Sequence, residues 1–391
     1  MPEAIERIYA DHAATTPARP EVVEAMLPYF GHGGYNPSSL HAEGRRARSA
    51  LDDARERVAR LLGARAKEIV FTGSGSESDN LAILGVARAR REHGRHIVST
   101  AIEHHAVLHS LDSLRDEGFD VTFVPPGEDG AIATEAFERA LRADTTLASI
   151  MWANNELGTL QPVRQLAAVA RRRGVVFHTD AVQLPAYARI DVDDAGVDLL
   201  SISAHKFYGP KGVGALYVRS GTPLLPLVLG GSQEFAKRAG TENVAGIVGM
   251  AVALELATAE LPQSAQRIGG LRDRFEATIV ERISGIRING RAASRLPNVS
   301  NVSIDGIEGE ALVVRLDLEG VAVSSGSACA SGSLEPSHVI AALGLDPRWQ
   351  RGVVRFSFGR TTTDSQVDRL VDVLDSAVAR LRAVNSSAVD V

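Results

Sequence analysis

Lys206 ends the apolar run SISAHK, Asp180 ends FHTD, and a turn rich in Gly, Ser and Thr, FTGSGSESDN, covers Phe71–Asn80. Each has an ordinary structural use. The turn serves any strand-to-helix connection, and Asp180 is a favoured type for a helix N-cap. Taken together they are the parts of a pyridoxal phosphate site: an amine for a Schiff base, an acid facing a pyridine nitrogen, and backbone N–H groups and hydroxyls for a phosphate. Gln183 follows Asp180 by three residues, and Ser203 and His205 flank Lys206. The rival amine, Lys211, sits in the glycine loop GPKGVG, a poorer anchor than a strand end. His104, in AIEHHAVLHS, could stack on a cofactor ring or carry protons, while His105 and His109 beside it include at least one solvent-facing ring. Cys329 is the only cysteine and lies in SSGSACAS, among small residues that offer it little packing.

Such groups need strand ends to hold them, and the sequence supplies the strands. HIVST, VTFVP, LASIMWANN, VVFHTDAVQ, VDLLSISAHK and GVGALYVR are short apolar segments. They alternate with helical patterns such as RSALDDARERVARLL, TEAFERALR and VRQLAAVARRRG. This rhythm predicts an α/β fold with a mostly parallel sheet, whose ligands bind at the carboxyl ends of the strands. A long helical stretch, Val244 to Ser284 with a break near Pro262, leads into LPNVSNVSIDG, EALVVRLDLEGVAVSS and VVRFSFGR, read as antiparallel strands. The helices SHVIAAL and SQVDRLVDVLDSAVARLRA and a frayed NSSAVDV tail complete it. The expected division is a large domain over 15–261 and a smaller α+β domain from 1–14 and 262–391.

Composition narrows the class of partner. The chain has 391 residues, 45% hydrophobic and 23% charged, with a net charge of −6 and a pI near 6.0. Nucleic acid and anionic lipid both call for a concentrated basic face, so neither is expected. No apolar run approaches about 20 residues and no secretory layout opens the chain, so a cytoplasmic protein without a membrane is expected. A lone cysteine closes no disulfide within the chain and builds no Cys-rich metal site by itself.

The motifs YADHAATTP, NPSSLHAEGRRAR, FTGSGSESDNLAI, AIEHHAVLHS, MWANNELGTLQPV, FHTDAVQ, SISAHKFYGPKGVGALYVR, RAGTENV, SSGSACASGSLEPSHVI and RFSFGR occur in this order. They resemble, nearly end to end, the cysteine desulfurases of the NifS/IscS type, class V aminotransferases with the aspartate-aminotransferase-like fold (type I) of pyridoxal phosphate enzymes. The resemblance implies that Lys206 forms the cofactor's Schiff base, Asp180 faces its ring nitrogen, Gln183 donates to its ring oxygen and His104 stacks on it. Gly75, Ser76, Ser203 and His205 would cradle the phosphate. Thr241 would reach the phosphate of a neighbouring subunit, which implies a homodimer. Asn155 would lie beside cofactor and substrate, and Arg355 would grip the substrate carboxylate.

Cys329 resembles the nucleophile that takes sulfur from L-cysteine as a persulfide and leaves L-alanine, with His104 a candidate for taking its proton. Cys329 is also a candidate transient ligand of an iron-sulfur cluster. With no second thiol, the persulfide must pass to another molecule: a small thiol or a sulfur-acceptor protein such as an iron-sulfur scaffold. The alternatives are a selenocysteine lyase and a non-catalytic sulfur or cluster scaffold. Two departures stand out: Ser76 where many relatives carry threonine, and Phe235–Ala236 in place of a more basic, glycine-like pair.

Overall fold

In a computed structural model the described residues are 7–31, 34–325 and 337–389, with side chains described up to 385 at the C-terminal end. Cys329 lies outside them.

The central sheet has seven strands: β2 (Ile69–Thr72), β3 (His96–Thr100), β4 (Asp120–Val124), β5 (Thr145–Ser149), β6 (Val176–Asp180), β7 (Leu199–Ser203) and β8 (Gly214–Val218). Their order is β2-β8-β7-β6-β5-β3-β4. Only β8 runs against its neighbours, β2 and β7, and all other pairs are parallel. Thr72 and Ser203, the last residues of β2 and β7, therefore flank Gly214 from either side. This α/β architecture with a mostly parallel sheet is the one expected.

Both faces of this sheet are covered, which is why its strands read as apolar runs rather than alternating ones. On one side lie α3 (Gly75–Ala89) and α4 (His105–Asp116), packing Leu81, Val86, Val107 and Leu111 against Val70, Ile97 and Leu216. On the other lie α2 (Ala42–Leu62), α5 (Thr134–Ala140), α6 (Val163–Arg172) and α9 (Val244–Arg282). Shorter pieces, α1 (Pro20–Met26), α7 (Val192–Ala195) and the turn α8 (Gln233–Ala236), fill the connections. Ser74 caps α3 by accepting from Glu77 N at 3.1 Å, so this helix starts immediately beyond β2 with its N-terminus at the sheet's carboxyl edge.

Helix α9 departs from expectation, because it continues through Pro262 for 39 residues instead of breaking there. Proline removes one backbone hydrogen bond; Pro262 is solvent-exposed, so water can take the freed carbonyl. The first half of α9 buries Ile247, Met250 and Leu254 in the large core, and the second buries Ile268, Leu271, Phe275 and Ile279 under the C-terminal elements. An 18-residue window of this helix has mean hydropathy 1.7, enough by length and composition to cross a membrane. An unbroken run misses it because Glu255 and Glu260 interrupt the apolar stretch. Most of that window is buried inside the protein, as a core helix requires.

The C-terminal region holds an antiparallel sheet of β9 (Ile286–Asn289), β10 (Val299–Ile304) and β12 (Val353–Ser357) in the order β12-β10-β9. EALVVRLDL, expected as a strand, is helix α10 (Gly309–Leu318). Its buried residues, Gly309, Leu312 and Leu316, follow a helical spacing that the continuous apolar run conceals. Only Val321–Ala322 after it is a strand, β11, and it pairs in parallel with β1 (Ile8–Tyr9), tying the N-terminal segment to this region. Helix α11 (His338–Ala342) follows, and α12 (Asp364–Val389) continues through most of the tail expected to fray. Within that tail, Asn385 Nδ2 donates to Gly306 O at 3.0 Å.

Candidate active site

The carboxyl ends of β2, β6 and β7 open on a cavity of about 270 Å³. The structure brings together ten of the residues singled out by sequence. Gly75, Ser76, Ser203 and His205 line one part; Asp180, Gln183, Lys206 and His104 line another; Asn155 and Arg355 complete it.

Lys206 sits on a short 3₁₀ turn immediately after β7. Its Nζ donates to the carbonyls of Ala13 and Ala14 at 2.6 and 2.9 Å. Gln183 Nε2 donates to the same Ala13 carbonyl at 3.0 Å. The AATTP stretch is in turn fixed to the lysine turn: Thr16 Oγ1 donates to His205 O at 2.8 Å and accepts from Tyr208 N at 2.7 Å. His205 Nδ1 lies 3.1 Å from Thr15 Oγ1. These carbonyls and hydroxyls were not legible as site groups, because a backbone carbonyl carries no sequence signal.

Asp180 is buried and accepts from Val182 N at 2.8 Å through Oδ1. Burial pushes its carboxyl up to about 6, against the opposing pull of the Val182 N–H and the Lys206 ammonium. It is therefore mainly anionic at neutral pH, and suited to face a cationic ring nitrogen.

His104 caps α4 by accepting from Ala106 N at 3.1 Å through Nδ1. Burial, assisted by the Lys206 charge, lowers its pKa to about 4, so the ring is neutral. With Nδ1 engaged as acceptor, the hydrogen of the neutral ring falls on Nε2. His104 in this state is a donor, and taking a thiol proton would require it to surrender the Ala106 contact. Glu103 before it accepts from Met151 N at 2.8 Å, and its carboxyl is raised well above the usual range by burial.

The phosphate-type corner passes a test of its chemistry. Ser203 Oγ is buried with no hydrogen-bond partner among the described residues. Gly75 and Ser76 open the N-terminus of α3, where unpaired N–H groups favour an anion. At Gly75 an added Cβ would fall 2.8 Å from Val182 Cγ2 and 3.2 Å from Ser203 Cβ, so only glycine fits without displacement. With Lys206, Asp180 and Gln183 across the cavity, the residues fit a phosphorylated pyridine aldehyde.

Arg355, on β12, is only 2% exposed. Its Nη2 donates to Asp11 Oδ1 at 2.8 Å and its Nη1 to Asn155 O at 2.9 Å, while Nε is buried without a partner. Asp11 was missed by sequence, although it stands in the YADHAATTP motif. Asp79 was missed too: it lines the cavity from the first turns of α3, inside the turn read only for its phosphate-binding backbone. Thr241 is exposed and does not line this cavity. Among the described residues no group of three or more His, Cys, Asp or Glu side chains is placed to hold a metal ion.

A half-buried lysine, a buried acid and a phosphate corner at the carboxyl edge of a mostly parallel sheet define a pyridoxal-phosphate-type site on a type I fold. Residues 8–370 match the class-V aminotransferase family, and the chain belongs to it. It is 49% identical over 378 residues to "Cysteine desulfurase IscS" of Dictyoglomus turgidum, covering 97% of this chain and 96% of that one. Among solved structures it is similar to a "NIFS-LIKE PROTEIN", with TM-score 0.91 and 36% identity, over 96% of this chain and 100% of the other. It also resembles "SspA in complex with cysteine", with TM-score 0.80 and 41% identity, over 90% and 99% of the two chains.

Proposed function

We propose that this chain is a pyridoxal-phosphate-dependent cysteine desulfurase that converts L-cysteine to L-alanine and carries the sulfur away on Cys329. The observation that carries the reading is the meeting of Lys206, Asp180 and Arg355 in one cavity, in a chain 49% identical to a relative of that name.

When bound, the cofactor supplies an electron sink for a carbanion at the substrate Cα. Gly75, Ser76, Ser203 and His205 hold its phosphate, Asp180 its ring nitrogen, Gln183 its ring oxygen, and His104 covers it. Lys206 Nζ takes the Cα proton of the substrate, and its hold on the Ala13 and Ala14 carbonyls gives it a fixed resting position. Arg355 receives the substrate carboxylate beside Asn155. The Cys329 thiolate attacks the substrate sulfur; an S–S bond forms as the C–S bond breaks, and the carbon that keeps the electron pair gains a proton to give alanine. A free thiol near its ordinary pKa of about 8.5 supplies only a small thiolate fraction at neutral pH, so Cys329 needs a proton acceptor or a local cation.

The chain acts as a cytosolic homodimer in this reading. Thr241 serves the phosphate of a second copy, and exposed Phe30, Leu40, Leu229 and Phe235 supply apolar surface for the contact. The persulfide passes to an acceptor protein for iron-sulfur or thio-cofactor assembly, because the chain has no second thiol. The test uses sulfur-labelled L-cysteine. Equimolar alanine and label on Cys329, with neither in Cys329→Ser, is expected. Full alanine release by Cys329→Ser refutes the mechanism.

A further inference from the structure

Asp79 is a carboxylic acid in the wall of the cavity with no assigned use. Its side chain is 2% exposed and its Oδ1 has no hydrogen-bond partner among the described residues. Helix α3 aims it at the ends of β6 and β7, where four groups face it: His178 on β6, Asp180 at its end, Ser201 on β7, and Glu103 from the connection between β3 and α4. Among the described residues the candidate counter-cation is His178, whose Nε2 lies 3.6 Å from Asp79 Oδ1. That imidazole is no cation. Its two nitrogens lie 2.9 Å from Ser149 Oγ and 3.0 Å from Ser201 Oγ, and burial holds its pKa down at about 3.

Two buried carboxyl groups thus face one cavity, and a shared site of this kind does not keep both charged. Their surroundings decide which one holds the charge. Asp180 has the Val182 N–H and the Lys206 ammonium; Asp79 has the Ser201 hydroxyl. We propose that Asp79 is a positioning residue that keeps its proton at neutral pH, so that Asp180 is the single anion of the pair and its charge is directed at the cofactor's ring nitrogen. Burial, then the Asp180 charge, raises the Asp79 carboxyl well above its usual range, in agreement with this division. The role toward the cofactor rests on the function proposed above; the proton on Asp79 does not.

The experiment follows from that separation and needs no turnover. Asp79→Asn is a neutral near-isostere, and the full chain stripped of cofactor is compared with it by infrared spectroscopy at pH 7 and by urea unfolding from pH 5 to 7. A protonated-carboxyl C=O band present in the parent chain and lost in Asp79→Asn is expected. The ratio of unfolding constants, parent over variant, should rise about tenfold per pH unit, because unfolding releases a proton that the folded chain retains. A ratio that stays flat across this range, or an unchanged infrared band, overturns the proposal. Should the chain prove not to be a desulfurase, both readouts would still report on the Asp79 proton.

Discussion

Gly75→Ala is the sharpest probe of the phosphate corner, because it adds one methyl and no charge. The new Cβ would lie 2.8 Å from Val182 Cγ2 and 3.2 Å from Ser203 Cβ. Carbon atoms rest about 3.5–4.0 Å apart, so Val182 must retreat by at least about 0.7 Å. At the first residue of α3 alanine does not recover the helix-interior advantage over glycine, and overpacking costs about 1–3 kcal/mol. The fold should therefore lose no more than about 3 kcal/mol. The site loses more, since Val182 N holds Asp180 Oδ1 at 2.8 Å and Ser203 presents the unpartnered hydroxyl. The assay titrates pyridoxal phosphate into cofactor-free protein by visible absorbance, beside urea unfolding of the same sample. At least a tenfold weaker affinity is expected, equivalent to about 1.4 kcal/mol. Parental affinity with parental stability would refute the steric reasoning and remove Gly75 from the cradle.

Arg355→Lys keeps the charge but loses the planar fork, so KM for L-cysteine should rise roughly 10- to 100-fold with the cofactor spectrum unchanged; steady-state kinetics check this. Cofactor binding should weaken as pH falls through about 6, where Asp180 takes up a proton, and Asp180→Asn should abolish that limb in a pH series of binding titrations. In cofactor-free protein the buried histidines should take stability away as pH falls from about 6.5 towards 4, against the opposite contribution of the raised Asp79, Glu103 and Asp180 carboxyls. His12, His104 and His205, with folded values of about 4, and His178, at about 3, stay neutral while the unfolded chain binds protons. Urea midpoints of the parent and of His12→Gln at pH 7 and 5 isolate the histidine part: the gap between them should shift in favour of the variant at pH 5. Glu234→Ala should cost about 3–5 kcal/mol in urea unfolding, because Arg55 is buried against Glu234 at 2.6 Å and would be left without its counter-charge.

The side chains of this site were legible because a parallel sheet places the last residues of its strands on one edge. Asp180 and Lys206 declare themselves once the apolar runs before them are read as strands. The long-range partners were hidden for a physical reason. Ala13 and Ala14 act through backbone carbonyls, and nothing in an alanine shows that a lysine 192 or 193 positions away will donate to it. Asp79 was obscured by its neighbours, since the glycine and hydroxyl residues of the same turn suggested backbone chemistry. In the C-terminal region, the run ALVV in α10 fits strand and helix alike, and burial of Leu312 and Leu316 decided for helix. Pro262 misled because a proline break costs most where water is excluded, and here it is exposed.

The turn at Gln233–Ala236 shows how a departure in sequence is accommodated. Glu234, Phe235 and Ala236 have φ of 45°, 58° and 59°, a left-handed conformation that side chains disfavour. What holds them is the Arg55–Glu234 pair: Glu234 accepts from both Nη atoms of Arg55 at 2.6 and 2.7 Å and from Phe71 N at 2.8 Å. The strain is thus opposed by a buried ion pair at the end of β2, one turn before the phosphate corner.

Arg355 supplies the corresponding link on the side of the cavity proposed to take the substrate. Before any substrate arrives its guanidinium is held by Asp11, which follows β1, and by the carbonyl of Asn155. Backbone bridges also join Asp11 to Ser357 and Ser324 to Arg355, so the residues that follow β1 and β11 are anchored to β12. A buried guanidinium without a counter-ion would destabilise the fold, and one fully satisfied by protein acceptors would have nothing left for a ligand. Here the Asp11 carboxylate supplies the counter-charge while the buried Nε remains unpartnered. Under the proposed function, an arriving carboxylate would meet a cation whose position is already fixed and whose hydrogen-bonding capacity is not exhausted, so little side-chain entropy would be lost on binding. In the proposed function, Asp11, just after the N-terminal strand, would thereby set the geometry of substrate recognition.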